Sequence, residues 1–152
     1  MGGRGGASGD KWIETFVPYR LYRATNKLNA KLLGKLRGLR INPSQWRVLS
    51  LLKAYGTLQM GSIIELALME QSTVSRVVAQ LEKKGQVTRR ASTVDARVIE
   101  VRLTRKGAEA FNEIIPTALR HQEIAFRGFT ECELALLVDM LARLENNIEA
   151  YE

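Results

Sequence analysis

The stretch that decides the fold is ELALMEQSTVSRVVAQLEKKG, residues 65–85, and QVTRRASTVDARVIE, residues 86–100, follows it directly. Within it, apolar residues recur at the three-and-four spacing that gathers one face of an α-helix: Val74, Val77, Val78 and Leu81. We expect this face to lie in the core. The opposite side carries small, hydroxylated and basic residues: Ser72, Ser75, Arg76, Ala79, Gln80 and Lys83.

The residues after this helix predict a basic β-hairpin. Gly85 is placed to close the helix in a left-handed conformation, and Gln86 to Ala91 are β-branched and basic residues suited to a strand. A second strand is expected from Arg97 to Leu103, where Val98, Val101 and Leu103 alternate only with one bulge or slip. A helix with a small basic face that runs into such a hairpin is typical of a recognition helix and its wing. An ordinary solvated surface helix is the alternative.

Composition limits the function classes. The 152 residues suffice for one compact domain, or for a small domain whose helices pair with a second copy. The formal charge of +7 favours a polyanionic partner, although charge alone fits RNA or anionic lipid equally well. No apolar run reaches the roughly 18 to 20 residues that cross a bilayer, and no secretory signal is present, so we expect no membrane association and a cytoplasmic protein.

The sequence predicts neither a catalytic site nor a metal-binding site. Cys132 and His121 are the only residues of their types, which leaves no intrachain disulfide, no zinc-ligand spacing and no expected metal or cofactor. No paired carboxylates and no nucleophile with a base can be assembled around them, so the chain is not expected to be an enzyme. We expect Cys132 to be a small packed side chain. Residues 1–9 are rich in glycine and predict a disordered tail.

Helical patterns surround the recognition stretch. Asp10 to about Leu36 is helical in pattern, and Pro18 predicts that the long helix either starts near Val17 or is kinked there. Asn42 followed by Pro43 announces the next helix, which should end at Tyr55 and Gly56. A short third helix is expected over about 61–68, before the recognition helix.

Two further helices are predicted after the wing. Thr104 can cap a helix that runs to about Phe126 and contains Pro116, a second expected kink. Thr130 and Glu133 form a capping box at the start of the last helix, which runs to about Ala150. Apolar residues alternate steps of three and four along it, as in a coiled coil: Leu134, Leu137, Leu141, Leu144 and Ile148.

The predicted fold is mainly α with a small β wing. A winged helix-turn-helix domain, residues 37–104, is flanked by helices at residues 10–36 and 105–152. The flanking helices have more apolar surface than a chain of this size can cover, so we expect them to pair with a second copy in a homodimer. Packing of the leucine seam on this chain's own first helix is the alternative.

Six short motifs, in order and spacing, resemble the MarR family of bacterial transcriptional regulators. The resemblance covers about Phe16 to Tyr151. Each motif is weak by itself, and their combination is specific. The motifs are QWRVL at 45–49, ELA at 65–67, STVSR at 72–76, LEKKG at 81–85, DAR at 95–97 and LTRKG at 103–107.

The resemblance implies a triangular homodimer that binds a pseudo-palindromic operator in double-stranded DNA, usually as a repressor released by a small molecule or an oxidant. It implies that Arg97 enters the minor groove, where the negative potential attracts a guanidinium, and that Asp95 holds Arg97 in place. Arg89 and Arg90 are expected to contact phosphates, and solvation of one of them is the alternative. The residues implied to meet the major groove and adjacent phosphates are Ser72, Thr73, Ser75, Arg76 and Gln80. An exposed hairpin ion pair is the alternative for Asp95 and Arg97.

The chain departs from the family in two places. At the start of the wing turn it has Ser92, Thr93 and Val94, where the family often has an acidic residue and a proline, and this affects the expected position of the wing tip. The peroxide-sensing branch has a cysteine in the first helix, and this chain has none there. Thiol sensing is therefore not the expected mechanism.

An unusual mixture of rings and arginines lies on the first two long helices. Family members that control aromatic catabolism resemble this arrangement and bind aromatic acids or their coenzyme A thioesters. The candidate effector-binding residues are Trp12, Tyr19, Arg20, Tyr22, Arg23 and Trp46. Core packing of the tryptophans and solvation of the arginines is the alternative. The alternative functions are a nonspecific architectural DNA-binding protein, or a family member with a non-aromatic or redox signal.

Overall fold

The computed structural model describes residues 11–151 and shows a mainly helical protein with a small antiparallel sheet. This confirms the predicted fold class. The predicted disordered tail, residues 1–9, lies outside the described residues. The elements are α1 Trp12–Thr15, α2 Val17–Leu36, a 3₁₀ turn Arg37–Leu39, α3 Pro43–Tyr55, β1 Leu58–Gln59, α4 Met60–Ala67, α5 Gln71–Lys83, β2 Val87–Ala91, β3 Ile99–Leu103, α6 Arg105–Ala125 and α7 Glu131–Glu149.

The chain forms two compact units, the first ending at Ala118 and the second beginning at Leu119. One apolar core organises the first unit, and helices on both sides of the winged domain contribute to it, through Leu36 of α2 and Ile114 of α6. The rest of that core is Ile41, Val48, Leu49, Leu52, Ile63, Val74, Val77, Val78, Leu81, Val87 and Val101. The partition into residues 10–36, 37–104 and 105–152 stays a prediction.

Local capping chemistry sets where the first long helices begin. Pro18 lies in the first turn of α2, where its missing N–H would have no helical partner, so the proline marks a helix start at Val17. At the start of α3, Asn42 Oδ1 accepts a hydrogen bond from Gln45 N at 2.8 Å, and Gln45 Oε1 accepts one from Asn42 N at 3.4 Å. Gly56 follows the last residue of α3, as predicted. The short helix α4 covers Met60–Ala67, one residue before the predicted span.

The sheet has the order β1-β3-β2, with both pairs antiparallel. The predicted bulge is wrong: β2 and β3 pair in unbroken register from Val87 opposite Leu103 to Ala91 opposite Ile99. Val98 belongs to the turn before β3, so the alternating residues of that strand are Ile99, Val101 and Leu103. The two-residue strand β1 had not been predicted, because two residues give no readable alternation.

The start of α6 docks on the loop that follows α5. Thr104 Oγ1 accepts a hydrogen bond from Gly107 N at 3.0 Å and donates one to the Gly85 carbonyl at 2.6 Å. Thr104 N donates to the Gln86 carbonyl at 3.0 Å. Gly85 has φ +72°, which confirms the predicted left-handed cap. The LTRKG motif at 103–107 thus fastens α6 to the end of the recognition helix.

In the second unit, the predicted capping box at α7 is confirmed. Thr130 Oγ1 accepts from Glu133 N at 3.2 Å, and Glu133 Oε2 accepts from Thr130 N at 2.7 Å, which lowers the pKa of the Glu133 carboxyl. No residue of α7 is buried within the chain. Cys132 is exposed, so the expectation of a packed side chain is wrong. None of the described helices combines the length and apolar content needed to cross a membrane.

Candidate nucleic-acid interface

The recognition helix α5 has the two faces that its sequence predicts. Its apolar stripe is fully buried: Val74, Val77, Val78 and Leu81 are each 2% exposed or less. The opposite face is solvent-exposed and consists of Ser72, Ser75, Arg76, Ala79, Gln80 and Lys83, with Thr73 half-buried beside it. Because the stripe fixes the rotation of α5 about its axis, these polar side chains are held outward in one orientation.

The tip of the wing carries a preorganised arginine. Arg97 Nε and Nη2 donate to the two carboxylate oxygens of Asp95, each at 3.1 Å, and Arg97 N donates to Asp95 Oδ1 at 3.0 Å. These bonds lower the pKa of the Asp95 carboxyl, which therefore stays ionised. The Arg97 side chain is nevertheless 91% exposed. The guanidinium is thus oriented by Asp95 while its outer side stays open to a partner.

A groove connects the recognition helix to the wing. A cavity of about 530 Å³ is lined by Gln71 and Ser75 of α5, by Arg89 and Arg97 of the hairpin, and by Met60 and Ile64 of α4. Ser75 and Arg97, which were predicted to bind different grooves of DNA, therefore face one concave surface. Among the other predicted contacts, Ser72, Arg76 and Gln80 lie on the exposed face of α5 outside this cavity.

The two adjacent arginines of β2 have different environments. Arg89 Nε and Nη2 both donate to Glu82 Oε2 of α5, at 2.9 and 2.6 Å, and this pairing lowers the pKa of Glu82 below its ordinary value of 4.5. Arg90 lies on the other face of the strand, beside Thr88 and Arg102, in a cavity of about 190 Å³. Arg89 thus ties the wing to the recognition helix, whereas Arg90 is separated from the groove that contains Arg97.

A polar contact that the sequence analysis missed links the recognition helix to α3. Gln45 is only 6% exposed, and its Nε2 donates to Gln80 Oε1 at 3.0 Å. Lys84 Nζ donates to Gln45 Oε1 at 3.1 Å and to the Arg40 carbonyl at 3.2 Å. Gln45 and Gln80 are 35 residues apart, and no local sequence pattern indicates that their side chains meet.

The candidate effector-binding residues make separate contacts in the structure. On α2, Arg23 Nη1 donates to Tyr19 Oη at 3.2 Å, which raises the pKa of Arg23, and Arg20 and Tyr22 are exposed. Trp12 of α1 packs edge-on against Phe16 at 5.3 Å between ring centroids and is 56% exposed.

Trp46 of α3 has a different contact. It stacks on Phe111 of α6, with 5.3 Å between the ring centroids. Over residues 11–151, no hydrogen bond or ring contact joins Trp46 to the aromatic and arginine side chains of α1 and α2. Nor do any three His, Cys, Asp or Glu side chains in that range form a group able to hold a metal ion.

Comparison with known proteins matches the MarR family model to residues 41–99, the part that runs from just before α3 to the first residue of β3. The regulator MhqR of Bacillus subtilis is 29% identical over 93% of this chain and 97% of its own length. YdgJ of Bacillus subtilis, an uncharacterised HTH-type transcriptional regulator, is 31% identical over 74% of this chain and 68% of its own length. These homologues are transcriptional regulators and not enzymes.

Solved structures agree with the sequence relatives. A MarR family regulator from Silicibacter pomeroyi superposes with a TM-score of 0.85 at 29% identity, covering 96% of this chain and 98% of that one. Two structures at 22% identity share the fold, each with a TM-score of 0.76. One is a mutant MarR from E. coli complexed with operator DNA, and the match covers 90% of this chain and 99% of that one. The other is Bordetella bronchiseptica BpsR, whose DNA binding is regulated by 6-hydroxynicotinic acid, and the match covers 85% of this chain and 98% of that one. The protein therefore belongs to the MarR family of DNA-binding transcriptional regulators.

Proposed function

We propose that this regulator is a homodimeric repressor that binds a pseudo-palindromic operator and is released by a small aromatic acid or its coenzyme A thioester. The observation that carries the DNA-binding part is the groove shared by α5 and the wing. It places Ser75 and Arg97 on one concave surface, beside an exposed face of small and polar side chains. Such a surface can straddle a phosphate backbone, with α5 in the major groove and the wing tip in the adjacent minor groove.

Within this proposal each side chain has a stated role. Ser72, Thr73, Ser75, Arg76 and Gln80 meet base edges and phosphates in the major groove. Arg97 enters the minor groove, and Asp95 orients it. Arg90 binds a phosphate beyond the outer face of the sheet. For Arg89 we propose a phosphate contact through the side of its guanidinium that Glu82 leaves open, because Glu82 engages only Nε and Nη2.

The proposed dimer is supported by apolar surface that the chain itself leaves uncovered. On α7, Leu141 is 37% and Ile148 is 62% exposed. We propose that residues 10–36 and 105–152 supply the helices that pair with a second copy, and that residues 37–104 form the winged DNA-binding domain. Pairing would bury the seam of α7 and place two α5 helices on successive major grooves.

The DNA-binding proposal is tested by Arg76→Ala and Arg97→Ala. If each arginine reads bases, its loss should weaken operator binding by about 5- to 150-fold and relax sequence preference near its contact. If it binds phosphate, all sequences should weaken alike, and the slope of log affinity against log salt should flatten by about one unit. Fluorescence anisotropy over a salt series measures both quantities.

The matched control is Arg143→Ala, which removes the same charge from α7. Its affinity should equal that of the native protein. Unchanged affinity and salt slope in both test variants would overturn the assignment of the recognition face. Rapid loss of the labelled operator to excess random DNA, at physiological salt, would favour the alternative of a nonspecific architectural protein.

The effector proposal rests on two exposed contacts of α1 and α2: the pair of Arg23 with Tyr19, and Trp12 packed on Phe16. An arginine can hold a carboxylate while neighbouring rings cover the apolar part of the molecule. BpsR, a relative in fold, is regulated by an aromatic acid, which supports the same ligand class here. Trp46 would contribute to the crevice only if it leaves its stacked position on Phe111. A ligand that prefers a dimer with altered spacing would release DNA by a population shift.

We expect an aromatic carboxylate or thioester to bind the native protein and to release the operator, and Arg23→Ala to weaken both effects. Titration calorimetry and operator release are measured together for each compound, after a thermal-shift screen of phenolic acids and acyl-coenzyme A compounds. Lys27→Ala, which removes a charge further along α2, should bind the ligand normally. Equal binding and release in Arg23→Ala would reject this crevice, and no binding by any compound would reject the aromatic effector.

A further inference from the structure

Two side chains, Gln45 and Lys84, fix the orientation of the Gln80 side-chain amide on the recognition helix. Gln45 of α3 lies between Lys84, just after α5, and Gln80 on the exposed face of α5. We propose that Gln45 is a positioning residue that turns the Gln80 oxygen inward, so that Gln80 presents its Nε2 donors to the DNA. This inference rests on the proposed role of α5 in operator binding.

The orientation of Gln45 follows from the chemistry of its neighbours. A lysine ammonium and a backbone N–H can donate hydrogen bonds but cannot accept them. Lys84 Nζ lies 3.1 Å, and Asn42 N 3.4 Å, from the same end of the Gln45 amide. That end must therefore be the oxygen. The usual ambiguity between the oxygen and nitrogen of a glutamine is removed at this position.

The orientation of Gln80 follows in turn. With its oxygen facing two donors, Gln45 has only Nε2 left for its third contact, 3.0 Å from Gln80. Only the Gln80 oxygen can accept from it, so Gln80 Nε2 lies on the other side of the amide. Among residues 11–151, no group accepts a hydrogen bond from Gln80 Nε2. Since Gln45 is only 6% exposed, water does not readily compete for the inner bond.

The consequence is a directional preference at one base pair. In the major groove, guanine presents two acceptors, cytosine presents a donor, and adenine presents one of each. A side chain that offers two N–H donors matches guanine. The paired contact of glutamine with adenine would require the Gln80 oxygen to turn outward, away from Gln45. We therefore expect guanine at the base that Gln80 contacts.

The decisive variant is Gln45→Glu. Glutamate serves at this position of a capping box as well as glutamine does, and its charge is matched by Lys84, so α3 should keep its start. A carboxylate has no donor, however. Its second oxygen can only accept a hydrogen bond from Gln80 Nε2, which turns the Gln80 oxygen toward the DNA. The preferred base should then change from guanine to one that offers a donor, adenine or cytosine.

Operators are selected from a randomised duplex library with the native protein, Gln45→Glu, Gln45→Leu and Gln80→Leu. Gln80→Leu identifies the base pair that Gln80 reads, because the preference there should disappear. At that pair the native protein should discriminate by about 5-fold or more, Gln45→Glu should invert the preference, and Gln45→Leu should reduce it to below about twofold. A merely structural role of Gln45 would weaken all sequences and would invert nothing.

The outcomes separate this inference from the proposed function. If the native protein selects no sequence, the sequence-specific operator-binding function itself is wrong. If the native protein selects an operator and Gln45→Glu keeps the guanine preference, or Gln80→Leu changes no preference, the positioning role is overturned. An adenine preference of the native protein at the Gln80-dependent pair also overturns it. Thermal denaturation of each variant establishes folding, and if Gln45→Glu does not fold, the broadening expected of Gln45→Leu decides.

Discussion

Replacing Gly107 with alanine is expected to lower the free energy of unfolding by more than about 3 kcal/mol, the upper end of what overpacking usually costs. Gly107 is buried in the first turn of α6, against the loop that follows α5. A Cβ there would overlap the Gln86 carbonyl oxygen and would lie 2.9 Å from its carbon. The backbone carbonyl of Gln86 cannot rotate away from the new Cβ as a flexible side chain could, so α6 or the segment before β2 must move.

The movement would break a connected set of bonds. Thr104 holds the Gly85 and Gln86 carbonyls through its hydroxyl and its backbone N–H, and its hydroxyl also caps Gly107 N. These bonds fix the end of the recognition helix to α6. We therefore expect Gly107→Ala to lower the melting temperature. The molecules that remain folded should also bind DNA more weakly than the native protein does.

Gly34→Ala is the matched control, because Gly34 is also helical and a Cβ there meets nothing within 4 Å. This substitution should stabilise the protein by up to about 1 kcal/mol through improved helix propensity. Denaturant unfolding of both variants measures the two effects. A Gly107→Ala protein as stable as Gly34→Ala would show that the close approach to Gln86 does not constrain the fold.

The parts of the fold and site that sequence predicts are the local ones. The buried stripe of α5 repeats within eight residues and could be read from spacing alone, whereas the pairing of Asp95 with Arg97, over three residues, was implied by the family resemblance. Their geometry in the structure agrees with that prediction. The role of Gly107 was not readable in this way, because the atom that excludes a side chain belongs to Gln86, across a turn.

The features that sequence could not supply depend on distant contacts. A two-residue strand such as β1 has no period, and it exists because β3 offers it an edge. The contact of Gln45 with Gln80 depends on how α3 packs on α5. A tryptophan such as Trp46 is common both in ligand-binding sites and in apolar cores, so its sequence position does not distinguish the two. Only the structure shows that Trp46 has a stacking partner within the chain, Phe111.

Introducing a charge into the seam of α7, as in Leu141→Glu, is expected to separate the proposed dimer and to weaken operator binding by about 10²- to 10⁴-fold. Leu141 is 37% exposed in the chain and sits in the middle of the seam from Leu134 to Ile148. A carboxylate buried at a paired apolar surface without a counter-ion is strongly unfavourable. Once the copies separate, each recognition helix binds its half-site alone and the advantage of linked binding is lost.

Asn146→Glu introduces the same charge on the far side of α7 and should leave both assembly and DNA affinity unchanged. Light scattering should give about twice 17.1 kDa for the native protein and for this control, and 17.1 kDa for Leu141→Glu. A native protein that is monomeric at micromolar concentration would reject the dimer together with the two-half-site operator. A Leu141→Glu protein that stays dimeric and binds the operator normally would instead place the interface elsewhere, because a seam that tolerates a carboxylate at its centre cannot be buried.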